Sequence, residues 1–171
     1  MTTSKKDERF IQKIVVHIGL GRMSQKPHFQ DKILPEILKE LSLITGQKPA
    51  VRKAKKSIAN FKTRTGDIIG AQVTLRRAKM ENFFKKLVNV IFPRVKDFRG
   101  LNVKNVDTHG VLNVGFREQY VFPEIEMERS QVNFGLQVTV VPRTRNRGEA
   151  IDFYSSYGVP LKDLIKKHKK K

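Results

Sequence analysis

Residues 71–93 read AQVTLRRAKMENFFKKLVNVIFP, an alternating stretch followed at once by an amphipathic one. Apolar and polar side chains alternate at the start of 71–77, and this period predicts a β-strand. The apolar residues that follow recur at the spacing of one helix face; they are Met80, Phe83, Phe84, Leu87, Val88 and Ile91. This spacing predicts a helix over 78–92 that Pro93 ends. The stretch therefore indicates a fold that contains both strands and helices.

Shorter patterns on either side extend the same mixture. Apolar and β-branched residues predict strands at 10–18, 49–54, 103–106, 111–116 and 134–141, with a hairpin turn at Asp107–Gly110. Helical spacing predicts a helix from residue 33 to Gly46, with Pro35 in its first turn or at a kink, and a short helix over 147–157. Residues 55–69 show no period and predict a long irregular loop. Strands and helices interleave without a regular βαβ order, which favours an α+β fold over a doubly wound sheet.

The chain is short and strongly basic. Its 171 residues predict one domain, residues 1–160, followed by a basic tail over 161–171. There are 35 Lys and Arg residues against 16 Asp and Glu, a formal net charge of +19. Such a charge attracts nucleic acid or an anionic membrane surface. We predict no membrane partner, because no apolar run approaches the roughly 20 residues that span a bilayer. The absence of cysteine excludes disulfides and thiolate metal sites, and it is compatible with the cytoplasm.

The charge is most one-sided between Leu41 and Gly66. This segment has no acidic residue and seven basic ones, which are Lys48, Arg52, Lys53, Lys55, Lys56, Lys62 and Arg64. A solvated helix face normally mixes both signs of charge, because like charges at short range repel one another. The segment is therefore predicted to lie against polyphosphate.

Motifs for catalysis are weak. Gly19-Leu20-Gly21 after a strand suggests a dinucleotide-binding turn, but the third glycine would stand at Ser24 and the next residues are not helical. The four histidines match no metal-ligand spacing, and the glutamates of 124–128 alternate as a solvated strand edge would. We predict no catalytic residue, no metal site and no cofactor. Two alternatives stay open: a nucleotide-binding enzyme built on Gly19 and Gly21, and a general nucleic-acid coat protein.

The distribution of charge favours RNA over duplex DNA. The helix over 78–92 has one apolar face and one mixed charged face, unlike a major-groove recognition helix. Positive charge concentrates instead in loops and strand ends, at 48–64, 76–79, 94–99 and 143–147. Loops of this kind follow the irregular surface of folded RNA. Phe61 could either stack on an exposed base or anchor its loop in the core.

Six blocks of the sequence resemble one family. They are KIVVHIGLG at 13–21, GQKP at 46–49, KAKKSIANFKTR at 53–64, IGAQVTLR at 69–76, PRVKDFRGL at 93–101 and GFREQYVFPEI at 115–125. Together they resemble the bacterial-type family of large-subunit ribosomal protein five, which binds 5S ribosomal RNA. The resemblance implies an open antiparallel sheet of about five strands with helices packed on one face. It also implies a structural, non-enzymatic protein of the large ribosomal subunit, in the cytoplasm or in an organelle.

The resemblance further implies partners and contact residues. The protein would anchor 5S ribosomal RNA in the central protuberance, beside large-subunit ribosomal RNA and neighbouring large-subunit proteins. It would also touch the transfer RNA in the peptidyl site and bridge to a protein of the small-subunit head. Carried over onto this chain, the 5S RNA contacts are His17, Gly19, Gln47, Lys48, Thr74 and Arg76. The transfer-RNA loop is 56–70, with contacts at Lys56, Asn60, Phe61, Lys62 and Arg64. Segments 94–102 and 107–114 are the bridge candidates.

Three departures from the family pattern bear on these expectations. Relatives carry a further segment, with a helix, before the first strand. The family's asparagine in that strand is His17 here, which would make this RNA contact weakly sensitive to pH. The lysine tail after Gly158 extends past the usual end and is predicted to be an added RNA-binding arm.

Overall fold

The strands of the chain form one open antiparallel sheet in the order β2-β3-β1-β5-β4. The computed structural model describes residues 10–162, so the predicted lysine arm over 163–171 lies outside the described residues. The strands are β1 (Ile11–Gly19), β2 (Ala50–Lys53), β3 (Ile68–Leu75), β4 (Leu112–Phe116) and β5 (Leu136–Pro142). The predicted α+β class and open antiparallel sheet are confirmed.

The helices follow the predicted apolar spacing, with one correction. They are α1 (Leu34–Thr45), α2 (Arg77–Lys86), α3 (Phe92–Arg94) and α4 (Arg147–Ser156). A π-helical turn, Phe29–Ile33, leads into α1, and Pro35 lies in the first turn of that helix. A second π-helical turn, Leu87–Ile91, joins α2 to α3. The predicted end at Pro93 is wrong: Pro93 lies in the first turn of α3, where proline is tolerated, and the helical run ends at Arg94.

The described residues belong to two compact units. The first contains residues 10–15, 75–114 and 138–162, and the second contains residues 16–74 and 115–137. In β1, β3, β4 and β5, buried side chains recur along the strand, so each of these four strands presents one apolar face to a core, whereas β2 has no buried residue. In β5, for example, Leu136, Val138 and Val140 are buried, while Gln137 and Thr139 are half-buried.

The core of the first unit is built around α4 and its aromatic residues. The Phe153 ring stacks on Phe10 with 4.0 Å between ring centroids, and the Phe84 and Tyr157 rings are 4.8 Å apart. Tyr154 is fully buried, and its hydroxyl donates to the carbonyl oxygen of Gly110 at 3.0 Å. The predicted helix over 147–157 is thereby confirmed as a core element that also holds the 107–110 turn.

The predicted hairpin around that turn is only half correct. Asp107 Oδ1 accepts from the backbone N–H groups of His109 and Val111, at 2.8 and 2.9 Å, so a tight turn forms. The first predicted strand is wrong, because Val103–Asn105 is a short 3-10 turn rather than a strand. The guanidinium of Arg147 donates to the carbonyl oxygens at 103 and 106, both at 3.1 Å. These carbonyls therefore have a partner other than a neighbouring strand.

In the second unit, β2 and β3 pair in antiparallel register. Ala50 lies opposite Gln72 and Arg52 opposite Gly70, and the register shifts between Arg52 and Lys53. Pairing with β2 begins at Ile68, which explains why β3 starts three residues before the predicted strand at 71. Within residues 10–162, no helix is both long enough and apolar enough to cross a bilayer.

Candidate nucleic-acid interface

One candidate surface lies on the β1 and β3 strands of the second unit. His17 on β1 and Thr74 on β3 are half-buried, and each stands between buried neighbours such as Ile18 and Val73. Because side chains alternate along a strand, these polar groups occupy the face opposite the apolar core. Gly19 is exposed at the end of β1. The structure therefore offers three of the predicted 5S RNA contacts on the exposed side of two neighbouring strands.

The turn after α1 brings a fourth residue to the same strands. Gly46 ends α1 in the left-handed conformation, with φ of 63°. The hydroxyl of Thr45 donates to the carbonyl oxygen of Leu41 at 2.7 Å, which holds this helix end in place. Gln47 Nε2 then donates to the carbonyl oxygen of Thr74 at 3.2 Å. Lys48, the next residue, is exposed.

We call the second-unit residues of this surface the platform: His17, Gly19, Gln47, Lys48 and Thr74. Arg76, the remaining predicted 5S RNA contact, is exposed between β3 and α2 and belongs to the first unit. Sequence reasoning missed Gln72, which lies two residues before Thr74 and is half-buried. Gln72 Oε1 accepts from Arg52 Nε at 3.1 Å, and Gln72 Nε2 donates to the Thr74 hydroxyl at 3.4 Å. The alternation along β3 could have predicted Gln72, because residues two apart on a strand lie on the same face.

The segment predicted as a long irregular loop over 55–69 forms a hydrogen-bonded hairpin, residues 54–67, and β3 begins at Ile68. Its base is closed by the N–H of Ala54 donating to the carbonyl of Asp67, at 2.8 Å, and by the N–H of Gly66 donating to the carbonyl of Ala54, at 2.9 Å. Nearer the tip, Ile58 and Thr63 exchange backbone hydrogen bonds of 2.9 and 3.2 Å. The predicted loop is therefore confirmed as a segment without strands up to residue 67, and its backbone hydrogen bonds give it the path of a hairpin.

The hairpin tip exposes the predicted transfer-RNA contacts. A 3-10 turn, Ala59–Phe61, leads to Lys62 in the left-handed conformation with φ of 50°. Phe61 is 69% exposed, so the alternative that it anchors the loop in the core is wrong. Lys56, Asn60 and Arg64 are also exposed. The backbone N–H of Arg64 donates to Asp67 Oδ2 at 2.6 Å, which leaves its guanidinium outside that interaction.

The turn after β1 lies against this hairpin, and sequence reasoning gave it no role beyond its two glycines. The N–H of Ser24 donates to the carbonyl of Leu20, and its hydroxyl donates to the carbonyl of Gly21 at 2.9 Å. Gln25 Nε2 reaches across and donates to the carbonyl oxygen of Phe61 at 2.9 Å. The chain after Gly21 therefore forms turns rather than the helix that a dinucleotide-binding motif requires.

A buried carboxylate in α1 stands apart from these basic surfaces. Glu40 is only 6% exposed, and its Oε2 atom has no hydrogen-bond partner. Burial raises the pKa of Glu40 above its ordinary value, and hydrogen bonding from Ser130 opposes this effect. Across the part of the chain that the structure covers, no group of three or more His, Asp or Glu residues is placed to hold a metal ion.

The two bridge candidates lie in the first unit. Segment 94–102 begins at Arg94, the last residue of α3, and exposes Lys96 and Arg99. Segment 107–114 contains the Asp107 turn, where Thr108 and His109 are exposed. Each segment therefore presents some exposed polar residues in this unit, while Leu101, Leu112 and Val114 are buried.

A basic α+β protein that exposes polar groups on a sheet face and cations on a hairpin has the features of a nucleic-acid-binding protein. Residues 8–64 match the family described as ribosomal protein L5, and residues 68–161 match the model for the C-terminus of the same ribosomal family. The chain belongs to the ribosomal protein L5 family.

Individual relatives agree with this assignment. The large ribosomal subunit protein uL5 of Halothermothrix orenii is 43% identical over 151 residues, 88% of this chain and 82% of that protein. The protein of the same name from Chlorobaculum tepidum is 44% identical over 152 residues, covering 89% and 81%. That of Macrococcus caseolyticus is 44% identical over 151 residues, covering 88% and 82%.

Family membership settles the class of function. The chain is a structural constituent of the large subunit of a cytoplasmic ribosome. It is not an enzyme, so the alternative of a nucleotide-binding enzyme on Gly19 and Gly21 is wrong.

Proposed function

We propose that this chain anchors 5S ribosomal RNA in the central protuberance of the large subunit and contacts the transfer RNA in the peptidyl site. The observation that carries the proposal is the division of the second unit into two different polar surfaces. The platform is built on strands and a helix end, and the hairpin is a separate element with its own exposed cations.

The platform suits a folded RNA of fixed shape. Its side chains stand on rigid elements, since His17 and Thr74 lie on neighbouring strands and Gln47 is tied to the Thr74 carbonyl at 3.2 Å. Lys48 adds positive charge to the platform, and Arg76 of the first unit is exposed two residues after Thr74 in the chain. Double-stranded and folded RNA are recognised mostly by shape, phosphate and 2′-hydroxyl contacts, which amide, hydroxyl and cationic groups can make.

The hairpin suits a partner that binds transiently. Lys56, Lys62 and Arg64 are exposed on it, and Phe61 presents an aromatic ring to solvent. Phosphate contacts by lysine and arginine supply affinity without sequence preference, and an aromatic face stacks on any base. Such a surface can hold successive transfer RNAs of different sequence.

The remaining parts of the proposal concern the first unit and the domain limits. Segments 94–102 and 107–114 are proposed to bridge to a protein of the small-subunit head. Residues 1–160 are proposed to work as one RNA-binding domain that also contacts large-subunit RNA and neighbouring proteins. The tail 161–171 is proposed as an additional basic arm.

The test separates the two surfaces with paired variants. Lys62→Ala with Arg64→Ala should leave 5S RNA binding nearly intact and weaken retention of peptidyl-site transfer RNA on reconstituted ribosomes. Thr74→Ala with Arg76→Ala should do the opposite. Filter binding at several salt concentrations measures the first property, and each lost phosphate contact should reduce the salt slope by about one unit.

The first unit offers a control that removes two positive charges, as the Lys62 and Arg64 pair does. Lys85 and Lys104 are exposed and lie outside both surfaces, so Lys85→Ala with Lys104→Ala should change neither assay. Equal losses in both assays for the two test pairs would refute the division. The coat-protein alternative makes a different prediction, since it requires duplex DNA to compete as well as 5S RNA at equal salt.

A further inference from the structure

A groove of about 1030 Å³ lies between the turn after β1 and the hairpin. Its walls come from the turn, at Gly19, residues 21–23 and Gln25, from the hairpin, at 54–56, 58 and 60–63, and from Ile69 of β3. All of these residues belong to the second unit. The volume is at the upper end of the roughly 300–1,000 Å³ typical of small-ligand sites.

Exposed apolar side chains line the groove. Ile58 is 48% exposed, Phe61 is 69% exposed and Ile69 is 38% exposed. These three are half of the large hydrophobic residues that are exposed among residues 10–162. Scattered exposed apolar residues are ordinary, but a contiguous set along a groove marks a binding surface.

The charges around the groove have one sign. Arg22, Lys55, Lys56 and Lys62 line it and are exposed, and no acidic residue is among the lining residues that the structure describes. The occupant must therefore combine apolar surface with negative charge. A nucleotide does so, because its base has an apolar face and its phosphate is anionic.

Hydrogen bonds hold the walls of the groove in place, and a glycine leaves space in it. The Gln25 side chain holds the carbonyl of Phe61 at 2.9 Å, and the Ile58–Thr63 pair closes the tip. Gly21 lines the groove without a side chain, and an added Cβ there would meet no atom within 4 Å. A pre-formed site loses less conformational freedom when its ligand binds.

We infer that this groove receives an unpaired nucleobase of an RNA strand, with the base against Ile58, Phe61 and Ile69 and its flanking phosphates on Arg22, Lys55 and Lys62. The inference rests on the proposed function, because it assumes that the hairpin faces RNA. The inference adds a nucleobase as the ligand and the turn after β1 as part of its site. The transfer-RNA contact proposed above involves the hairpin alone.

The test compares a short oligoribonucleotide that carries one 2-aminopurine with the same oligoribonucleotide abasic at that position. The full-length protein should bind the base-containing strand roughly tenfold more tightly, the size expected for one base–aromatic contact. Phe61→Ala should remove this preference while both strands keep a similar salt slope. Met127→Ala is the matched control, because Met127 is 65% exposed but does not line the groove, and it should keep the preference.

A second variant fills the groove without changing any charge. Gly21→Leu should abolish the preference for the base-containing strand, and circular dichroism checks that the variant is folded. If it does not fold, Phe61→Ala decides the question alone. Equal affinity of the wild-type protein for the two strands would overturn the inference, as would a preference that survives Phe61→Ala.

Competition identifies the natural source of the base. Displacement of the 2-aminopurine strand by transfer RNA or by 5S RNA supports the inference and identifies which RNA supplies the base, while displacement by neither overturns it. Failure of the inference is distinct from failure of the proposed function. Loss of transfer-RNA retention in the Lys62 and Arg64 variant, with no base preference in the wild type, would refute only the groove.

Discussion

Gly70 is the position where one added methyl group should do the most damage to the platform. It lies on β3 opposite Arg52 of β2, and a Cβ built there would be 2.7 Å from the backbone carbonyl oxygen of Ile18 on the neighbouring strand β1. Ordinary van der Waals contact begins near 3.4 Å. Because the obstacle is backbone, it cannot rotate away as a side chain could, and Gly70→Ala must push β1 and β3 apart by several tenths of an ångström.

The expected cost follows from this overpacking. Forcing an extra methyl group into a packed interior destabilises a protein by about 1–3 kcal/mol. For a chain of this length, that should lower the melting temperature by roughly 2–12 °C. The affinity for 5S RNA should also fall, because β1 and β3 carry His17 and Thr74 of the platform. Thermal unfolding followed by circular dichroism measures the first effect, and filter binding measures the second.

Gly115→Ala provides the matched control. Gly115 is also a strand glycine in the second unit, but a Cβ there would meet no atom within 4 Å. Alanine is more favourable than glycine inside a strand, by about 0.5–1 kcal/mol, so this variant should be neutral or slightly stabilised. If Gly70→Ala unfolded at the same temperature as Gly115→Ala, the reasoning about close strand approach would be refuted.

Two further predictions concern buried polar groups. Burial raises the pKa of Glu40, so the folded protein holds this proton more tightly than the unfolded chain, and stability falls as the pH rises from about 4.5 through the folded-state pKa. Glu40→Gln should therefore match the wild type in urea unfolding at pH 4 and exceed it by about 1 kcal/mol at pH 7, and lower stability at pH 7 would contradict this. Tyr154→Phe removes the hydroxyl that donates to the Gly110 carbonyl at 3.0 Å in a fully buried site, and it should cost about 1–3 kcal/mol in the same assay. A loss indistinguishable from zero would show that this carbonyl finds another partner.

Local patterns predicted the elements with a single buried face. The strand at 10–18 and the helix ending at Gly46 were predicted from periods of two and 3.6 residues, and both are present. The strand predicted at 103–106 was wrong for a local and a tertiary reason, and the local one is that Asn102 caps a 3-10 turn by accepting from the N–H of Lys104 at 2.9 Å. Its carbonyls at 103 and 106 accept hydrogen bonds from Arg147, 44 and 41 residues away, and no local pattern reports that contact.

For the candidate surfaces too, some features could be predicted from the sequence and others depend on tertiary structure. The basic character of 48–64 was visible as a run without acidic residues, because charge is a property of composition. The exposure of Phe61 was not visible, since an aromatic residue in a loop can equally be buried. It is decided by the hairpin pairing and by the bond from Gln25, which lies 36 residues earlier in the chain.

The order of residues alone is enough for the α+β class, the basic surface and the main apolar faces, because each reflects residues close together in the chain. The ordered hairpin, the Gln47–Thr74 contact and the groove beside Gly21 depend on tertiary structure. Gln47 and Thr74 are separated by 27 residues, and their hydrogen bond exists only once β3 is placed beside the end of α1. Such contacts arise from packing in three dimensions, which periodicity along the chain does not record.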